Sequence, residues 1–209
     1  MWDWNGTLVN DLPAVVHAMN AALASVGGPQ ITEDDHRRDF RRPVVGYYAY
    51  VLGRPVDIEE FAHLDRVFHG AYQVRRPSCQ LTTDAEPALR AWVGSQSLLS
   101  MWFHDELVPA VDGYGLTRHF ARIDGLRRPL RAAFAHKEPY LAAHLAALQL
   151  DGVPVVLIGD TVDDAHAATA VGAGCVLYAG GFTDPDQLRA TRAPVADTLV
   201  EAVALARTS

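Results

Sequence analysis

The chain has 209 residues, 49% of them hydrophobic and 21% charged, enough apolar material to bury a core in one domain or in a domain with an insert. Its net charge of −7 argues against duplex nucleic acid as the main ligand, because phosphate backbones attract basic faces. No apolar run reaches membrane-spanning length and no basic-then-apolar stretch opens the chain. The two cysteines, Cys79 and Cys175, stand far apart and in no metal-binding spacing. The expectation is a reduced, cytoplasmic protein with no membrane partner.

The chain begins Trp2-Asp3-Trp4-Asn5-Gly6-Thr7-Leu8, a carboxylate on a tight turn after a very short apolar start. From about Leu12 to Arg76 the pattern is helical throughout. Val15, Val16, Met19, Leu23 and Val26 keep helical spacing until Gly27-Gly28-Pro29 stops the run. Thr32-Glu33-Asp34-Asp35 predicts a capped helix start. Phe61, Leu64, Phe68 and Tyr72 form a second apolar stripe at helical spacing.

The second half alternates. Gln96 to Met101 predicts a strand, Asp105 to Gly113 a helix, and Phe120 to Ile123 a weaker strand. A helix starts near Lys137, with Leu141, Leu145 and Leu148 on one face. Pro154 to Ile158 is an apolar strand, Asp163 to Val171 a helix and Cys175 to Tyr178 a further strand. Alternating elements imply an α/β fold, a Rossmann-like parallel sheet covered on both faces. The expected core is residues 1–11 and 79–209, with 12–78 inserted as an all-helical cap. Residues just past the carboxyl ends of strands form the site in such sheets, and Asp3, Ser100 and Asp160 fall there.

These positions suit phosphoryl chemistry. A carboxylate such as Asp3 can attack phosphorus. Gly159-Asp160-Thr161-Val162-Asp163-Asp164 gathers acids behind a buried strand, which is costly unless a cation neutralises them. Mg²⁺ takes a few carboxylates together with water and substrate phosphate. Ser100 offers a hydroxyl donor. Lys137, the single lysine of the chain, offers an ammonium to balance the charge. Arginines cluster at Arg37-Arg38, Arg41-Arg42, Arg75-Arg76 and Arg127-Arg128, mostly as solvated faces. One of Arg37, Arg38, Arg41 and Arg42, which precede Pro43 and the pair Tyr47-Tyr48, is the candidate reader of a substrate anion, and Arg41 is the one singled out.

In their order along the chain these elements resemble the haloacid dehalogenase superfamily of hydrolases, within it the phosphoglycolate-phosphatase-like branch with a helical cap. The family pattern is Asp-x-Asp-Gly-Thr, a Ser or Thr after the second strand, a Lys, then Gly-Asp-x-x-x-Asp. The matches are Asp3 to Thr7, Ser100, Lys137 and Gly159 to Asp164. The resemblance implies Asp3 as nucleophile and Mg²⁺ ligand, with the backbone carbonyl of Asn5, Asp160 and Asp164 completing the metal site and Asp163 beside it. It further implies that Thr7 and Ser100 contact the phosphoryl group and that Lys137 stands beside Asp3. The implied activity is a Mg²⁺-dependent phosphatase acting on a small phosphorylated metabolite through an aspartyl-phosphate, as a monomer or homodimer. A metal-free dehalogenase does not account for the acidic turn, and a Schiff-base phosphonate hydrolase would need a lysine in the inserted segment, which has none.

There are two departures: only Met1 and Trp2 precede Asp3, where the family has a full central strand, and position 5 is Asn5, where the family carries the Asp that protonates the leaving oxygen. An amide cannot transfer that proton, and losing such help typically costs about 10²–10⁴-fold. Turnover is then slow, or another acid stands in, with Asp11 and His104 as candidates. A catalytically impaired binding or regulatory protein on the same scaffold is the alternative.

Overall fold

Residues 1–127, 135–150 and 152–208 are described by the computed structural model; Arg128, of the Arg127-Arg128 pair, lies outside them. In chain order the elements begin with β1 (Val9–Asn10) and four helices, α1 (Leu12–Ala24), α2 (Glu33–Asp39), α3 (Val44–Leu52) and α4 (Ile58–Arg75). Then come β2 (Gln80–Leu81), α5 (Ala85–Ala91), β3 (Ser97–Phe103), α6 (His104–Gly113) and β4 (Arg122–Leu126). The rest is α7 (Glu138–Ala147), β5 (Val156–Gly159), α8 (Val162–Ala170), β6 (Gly174–Tyr178), α9 (Pro185–Ala190), β7 (Val195–Ala196) and α10 (Leu199–Ala206).

The sheet is parallel, and its centre is the short N-terminal segment. Trp2 pairs with Leu98 on one side and Ile158 on the other. The Trp2 N–H donates to the Ser97 carbonyl at 2.9 Å, the Leu99 N–H returns to Trp2 O at 3.0 Å, and Asp3 N–H donates to Ile158 O at 2.9 Å. The strand order is therefore β4, β3, residues 1–3, β5, β6, β7. Trp2 is only 1% exposed and anchors the segment by donating its indole N–H to Gln96 Oε1 at 2.8 Å. β1 and β2 pair antiparallel, Val9 opposite Leu81, so the chain leaves and rejoins the sheet layer at one place.

Two expectations about strands are corrected. β3 does not end at Met101 but runs to Phe103, past Ser100, and its register with β4 shifts between Leu99 and Phe103. Met101, Trp102 and Phe103 favour a pleated, half-buried surface. The Ser100 hydroxyl accepts the Trp102 N–H at 3.1 Å, a local bond that replaces a ladder bond at the irregularity. β4 starts at Arg122 rather than Phe120 because residues 117–119 wind into a 3₁₀ turn, with Phe120 N–H donating to Thr117 O at 3.1 Å.

The apolar interior divides along α1. Leu12, Val15, Val16 and Ala18 pack with Trp2, Trp4 and Leu98 beside the sheet. Met19, Ala22 and Leu23, further along the same helix, pack with Tyr47, Tyr48, Phe61 and Leu64 from α3 and α4. The predicted cap at Thr32 forms as a full capping box with Asp35.

Candidate active site

The turn after β5 is shaped by one glycine and one capping box. Thr161 caps α8, and its N–H and hydroxyl both donate to Asp164 Oδ2, at 3.0 and 2.6 Å. That fold-back lays the Asp164 carboxylate against residue 159, where a Cβ would come within 2.6 Å of Asp164 Oδ2, so only glycine leaves room. The first turn has its own glycine requirement. Gly6 sits at φ +73°, in the left-handed region, and a Cβ there would collide with the Asp160 carboxylate.

These turns bring Asp3, Lys137, Asp160 and Asp164 together. Lys137 is the N-cap of α7, and its ammonium donates to Asp3 Oδ1 at 2.7 Å and to Asp164 Oδ1. Its backbone N–H donates to Asp163 Oδ2 at 2.8 Å, and Asp163 Oδ1 pairs with His136 Nδ1 at 2.7 Å. Asp163 is thus committed to holding the residue that carries the ammonium. Burial works to lower the Lys137 pKa, but the charges of Asp164 and Asp3 outweigh it and hold the ammonium above the ordinary lysine range.

The carboxylates divide. Burial raises Asp164, yet the adjoining Lys137 charge and hydrogen bonds bring it below the usual value. Asp3 is pushed up to about 6, by burial first, with Lys137 pulling it down and Asp164 pushing it up. Asp160 is raised well above an ordinary aspartate by burial and by the charges of Asp3 and Asp164. One lysine does not neutralise three buried carboxylates. An oxygen of each of Asp3, Asp160 and Asp164 lies within 4.8 Å of the others, a group compact enough to share one divalent cation. Hard oxygen donors suit Mg²⁺, and the raised Asp3 and Asp160 mark the charge a cation would compensate.

Other predicted residues stand elsewhere. Thr7 is fully buried and its hydroxyl donates to Asp160 Oδ1 at 2.6 Å, so it addresses an acid and not the cleft. Asp160 Oδ2 accepts the Phe182 N–H at 2.7 Å. Ser100 lines the cleft, but its hydroxyl donates to Asn5 Oδ1 at 3.2 Å. Arg41 is exposed, stacked 4.0 Å over the Tyr50 ring and bonded to Asp39 O. The arginine on the cleft wall is its neighbour Arg42, whose Nε lies 3.8 Å from Asp163 Oδ2. In this segment a one-residue step changes the face on which a side chain emerges. His104 binds the Gly125 N–H and Arg127, away from the cleft.

Asp11 does reach position 5. The Asn5 amide donates to Asp11 Oδ2 at 2.7 Å and to Tyr72 Oη at 3.0 Å, while Tyr72 donates to the same Asp11 oxygen at 2.7 Å. The Gly6 N–H donates to Asp11 Oδ1 at 2.9 Å. Burial raises the Asp11 pKa and the bonds from Asn5 and Tyr72 pull against it. The part of Tyr72 was missed in the sequence, where it counted only as an apolar stripe member. An apolar stripe on α4 carries no signal for a buried hydroxyl 61 residues from its acceptor.

Asp3, Asn5, Ser100, Lys137, Asp163 and Asp164 open onto a cavity of about 160 Å³ between the sheet and the helical segment. No described helix is long and apolar enough to cross a membrane.

Comparisons with known proteins relate the chain to hydrolases. A family model described as HAD-hydrolase-like matches residues 136–202, which carry Lys137, Asp160 and Asp164. The phosphoglycolate phosphatase of Caulobacter vibrioides is 28% identical over 195 residues, 88% of this chain and 79% of that protein. The phosphoglycolate phosphatase of Mesorhizobium japonicum is 24% identical over 199 residues, covering 88% and 83%. Among solved structures, a haloacid dehalogenase-like family hydrolase from Streptococcus pneumoniae superposes with a TM-score of 0.80 at 18% identity, over 98% of this chain and 95% of that one. A hydrolase from Pseudomonas syringae gives 0.74 at 19%, over 97% and 94%.

Proposed function

We propose that this chain, a haloacid dehalogenase-superfamily hydrolase of the phosphoglycolate-phosphatase-like branch, is a Mg²⁺-dependent phosphatase of a small phosphate monoester working through an aspartyl-phosphate on Asp3. The observation that carries the reading is the Lys137 ammonium held between Asp3 and Asp164, with an Asp160 oxygen within 4.8 Å of theirs.

Asp3, Asp160 and Asp164, with the Asn5 backbone carbonyl, would hold the cation. When bound, Mg²⁺ neutralises phosphoryl oxygens and orients the group for in-line attack. Lys137 fixes one Asp3 oxygen, leaving the other to attack phosphorus. The Lys137 ammonium on one Asp3 oxygen favours the ionised carboxylate against burial, and a bound cation would favour it further. Attack forms an acyl phosphate on Asp3 and expels the alkoxide, which takes a proton from solvent; water then attacks phosphorus, loses a proton to solvent, and regenerates the carboxylate and inorganic phosphate. The leaving oxygen receives no proton from the Asn5 amide, which has none to give. Esters of acidic alcohols, which leave without protonation, are therefore the better substrates. The relatives named phosphoglycolate phosphatase support the small-monoester class.

The test is hydrolysis of p-nitrophenyl phosphate with and without Mg²⁺, together with acid-quenched mass spectrometry of the peptide carrying Asp3. Mg²⁺-dependent turnover, a phosphorylated Asp3 and loss of both in Asp3→Asn are expected. Turnover that survives Asp3→Asn would exclude the mechanism. A binding or regulatory role is the second reading, motivated by the Asn5 amide being committed to Asp11 and Tyr72.

A further inference from the structure

The cavity that reaches Asp3 is polar at that end and ring-lined beyond it. Phe40, Tyr47, Phe68, Trp102, Phe103 and Phe182 stand on its wall. His36 is built into the same cage. It stacks on Phe40 at 4.9 Å with an 18° tilt and meets Tyr47 and Phe182 edge-on at 5.3 and 5.6 Å. It is 1% exposed, and burial, assisted by Arg37, pushes its pKa down to about 3, so the ring is neutral.

Two buried nitrogens on this wall, His36 Nε2 and Trp102 Nε1, have no hydrogen-bond partner among the described residues. Neither atom is open to solvent. The cations described on the wall, Arg42 and Lys137, each face carboxylates, at Asp163 and at Asp3 with Asp164. The cage thus presents ring faces and ring edges to whatever is attached to the phosphate.

We propose that the alcohol portion of the substrate bears a flat aromatic ring of six-membered size, which seats among these side chains while the phosphoryl group meets Asp3. The size limits the alcohol portion to one ring: an apolar cavity of about 150 Å³ takes benzene, and this one, its Asp3 end included, is about 160 Å³. The geometry is suitable too, since aromatic rings prefer the offset-stacked and edge-on contacts the cage already makes with His36. The inference rests on the phosphatase reading for the placement of the phosphate, and on the cage alone for the ring.

The experiment uses the full chain with Mg²⁺ and titrates two non-hydrolysable ligands by calorimetry, 3-phenylpropylphosphonate and propylphosphonate. They share the headgroup and differ by the ring. At least tenfold tighter binding of the phenyl compound is expected, from burial of one ring. Phe68→Ala should shrink that ratio by several-fold, and the wild-type comparison stands without any variant. Equal affinity for the two phosphonates would overturn the proposal. Hydrolysis is measured in parallel with 3-phenylpropyl phosphate, propyl phosphate and phosphoglycolate; the first two have alcohols of similar acidity, so leaving-group chemistry cancels. Turnover of all three without ring preference rejects the aromatic substrate and keeps the phosphatase. Ring-dependent binding with no Mg²⁺-dependent turnover of p-nitrophenyl phosphate, whose alcohol is acidic enough to leave unprotonated, rejects the phosphatase and keeps the cage.

Discussion

The Asn5 amide nitrogen lies 2.7 Å from an oxygen of Asp11, a carboxylate with no solvent exposure. Asn5 is therefore more than a lost acid: it is the neutral donor that a buried acid six residues later requires.

That pairing predicts how the acid can be restored. Asn5→Asp alone sets two carboxylates face to face, which raises a pKa and destabilises the chain by about 1–3 kcal/mol. The exchange Asn5→Asp with Asp11→Asn keeps a donor and an acceptor in register. The double variant should melt near wild type and hydrolyse alkyl phosphates about 10²-fold faster or more. Urea denaturation and kcat of the three variants check this. A double variant no faster than wild type would mean that the leaving oxygen is protonated from elsewhere.

Lys137→Met removes the ammonium shared by Asp3 and Asp164 and leaves buried carboxylates uncompensated. Metal-free protein should lose about 3–5 kcal/mol at pH 7.5, the usual penalty for orphaning a buried charge. The loss should narrow on acidification, as the remaining carboxylates protonate. Chemical denaturation at pH 7.5 and 5 measures both.

Mg²⁺ should stabilise the wild-type chain by mass action, about 2.7 kcal/mol at a hundredfold excess over Kd. Asp160→Asn should reduce that gain markedly. Thr7→Val should weaken it less, since Thr7 orients Asp160 without belonging to the acidic group. Thermal melts across a Mg²⁺ titration in EDTA-treated protein give the answer; equal gains in all three proteins would place the ion elsewhere.

His36 sets a term on the acid side. Its folded pKa, about 3, lies below the ordinary histidine value of 6.5. The unfolded chain therefore binds a proton below pH 6.5 that the folded chain refuses until about pH 3, and stability falls as pH drops through that window. Between pH 7 and 5 the term amounts to roughly 2 kcal/mol. His36→Gln should lose about that much less over the same interval, read by urea titration at the two pH values.

Much of the scaffold was legible because its signals are local. Asp160 ends an apolar strand, Thr161 and Asp164 cap the helix that follows, and Lys137 is the single lysine of the chain; each feature is encoded within a few residues. The alternation that implied a parallel sheet is likewise a matter of short-range periodicity. Trp2 shows the boundary of such reasoning. Two residues before Asp3 look too few for a central strand, yet Trp2 pairs in parallel with Leu98 on one side and Ile158 on the other.

Sequence by itself determined which residue types stand at the turns and helix starts, since capping, periodicity and the cost of buried charge act over one or two turns of chain. Tertiary structure decided their partners: Thr7 turned to Asp160, Ser100 to Asn5, Arg42 in place of Arg41 on the cleft wall, and Tyr72 brought to Asp11. A side chain's partner depends on how the helical segment closes over the sheet, and that closure follows from burying two apolar clusters at once, which no short window of sequence contains.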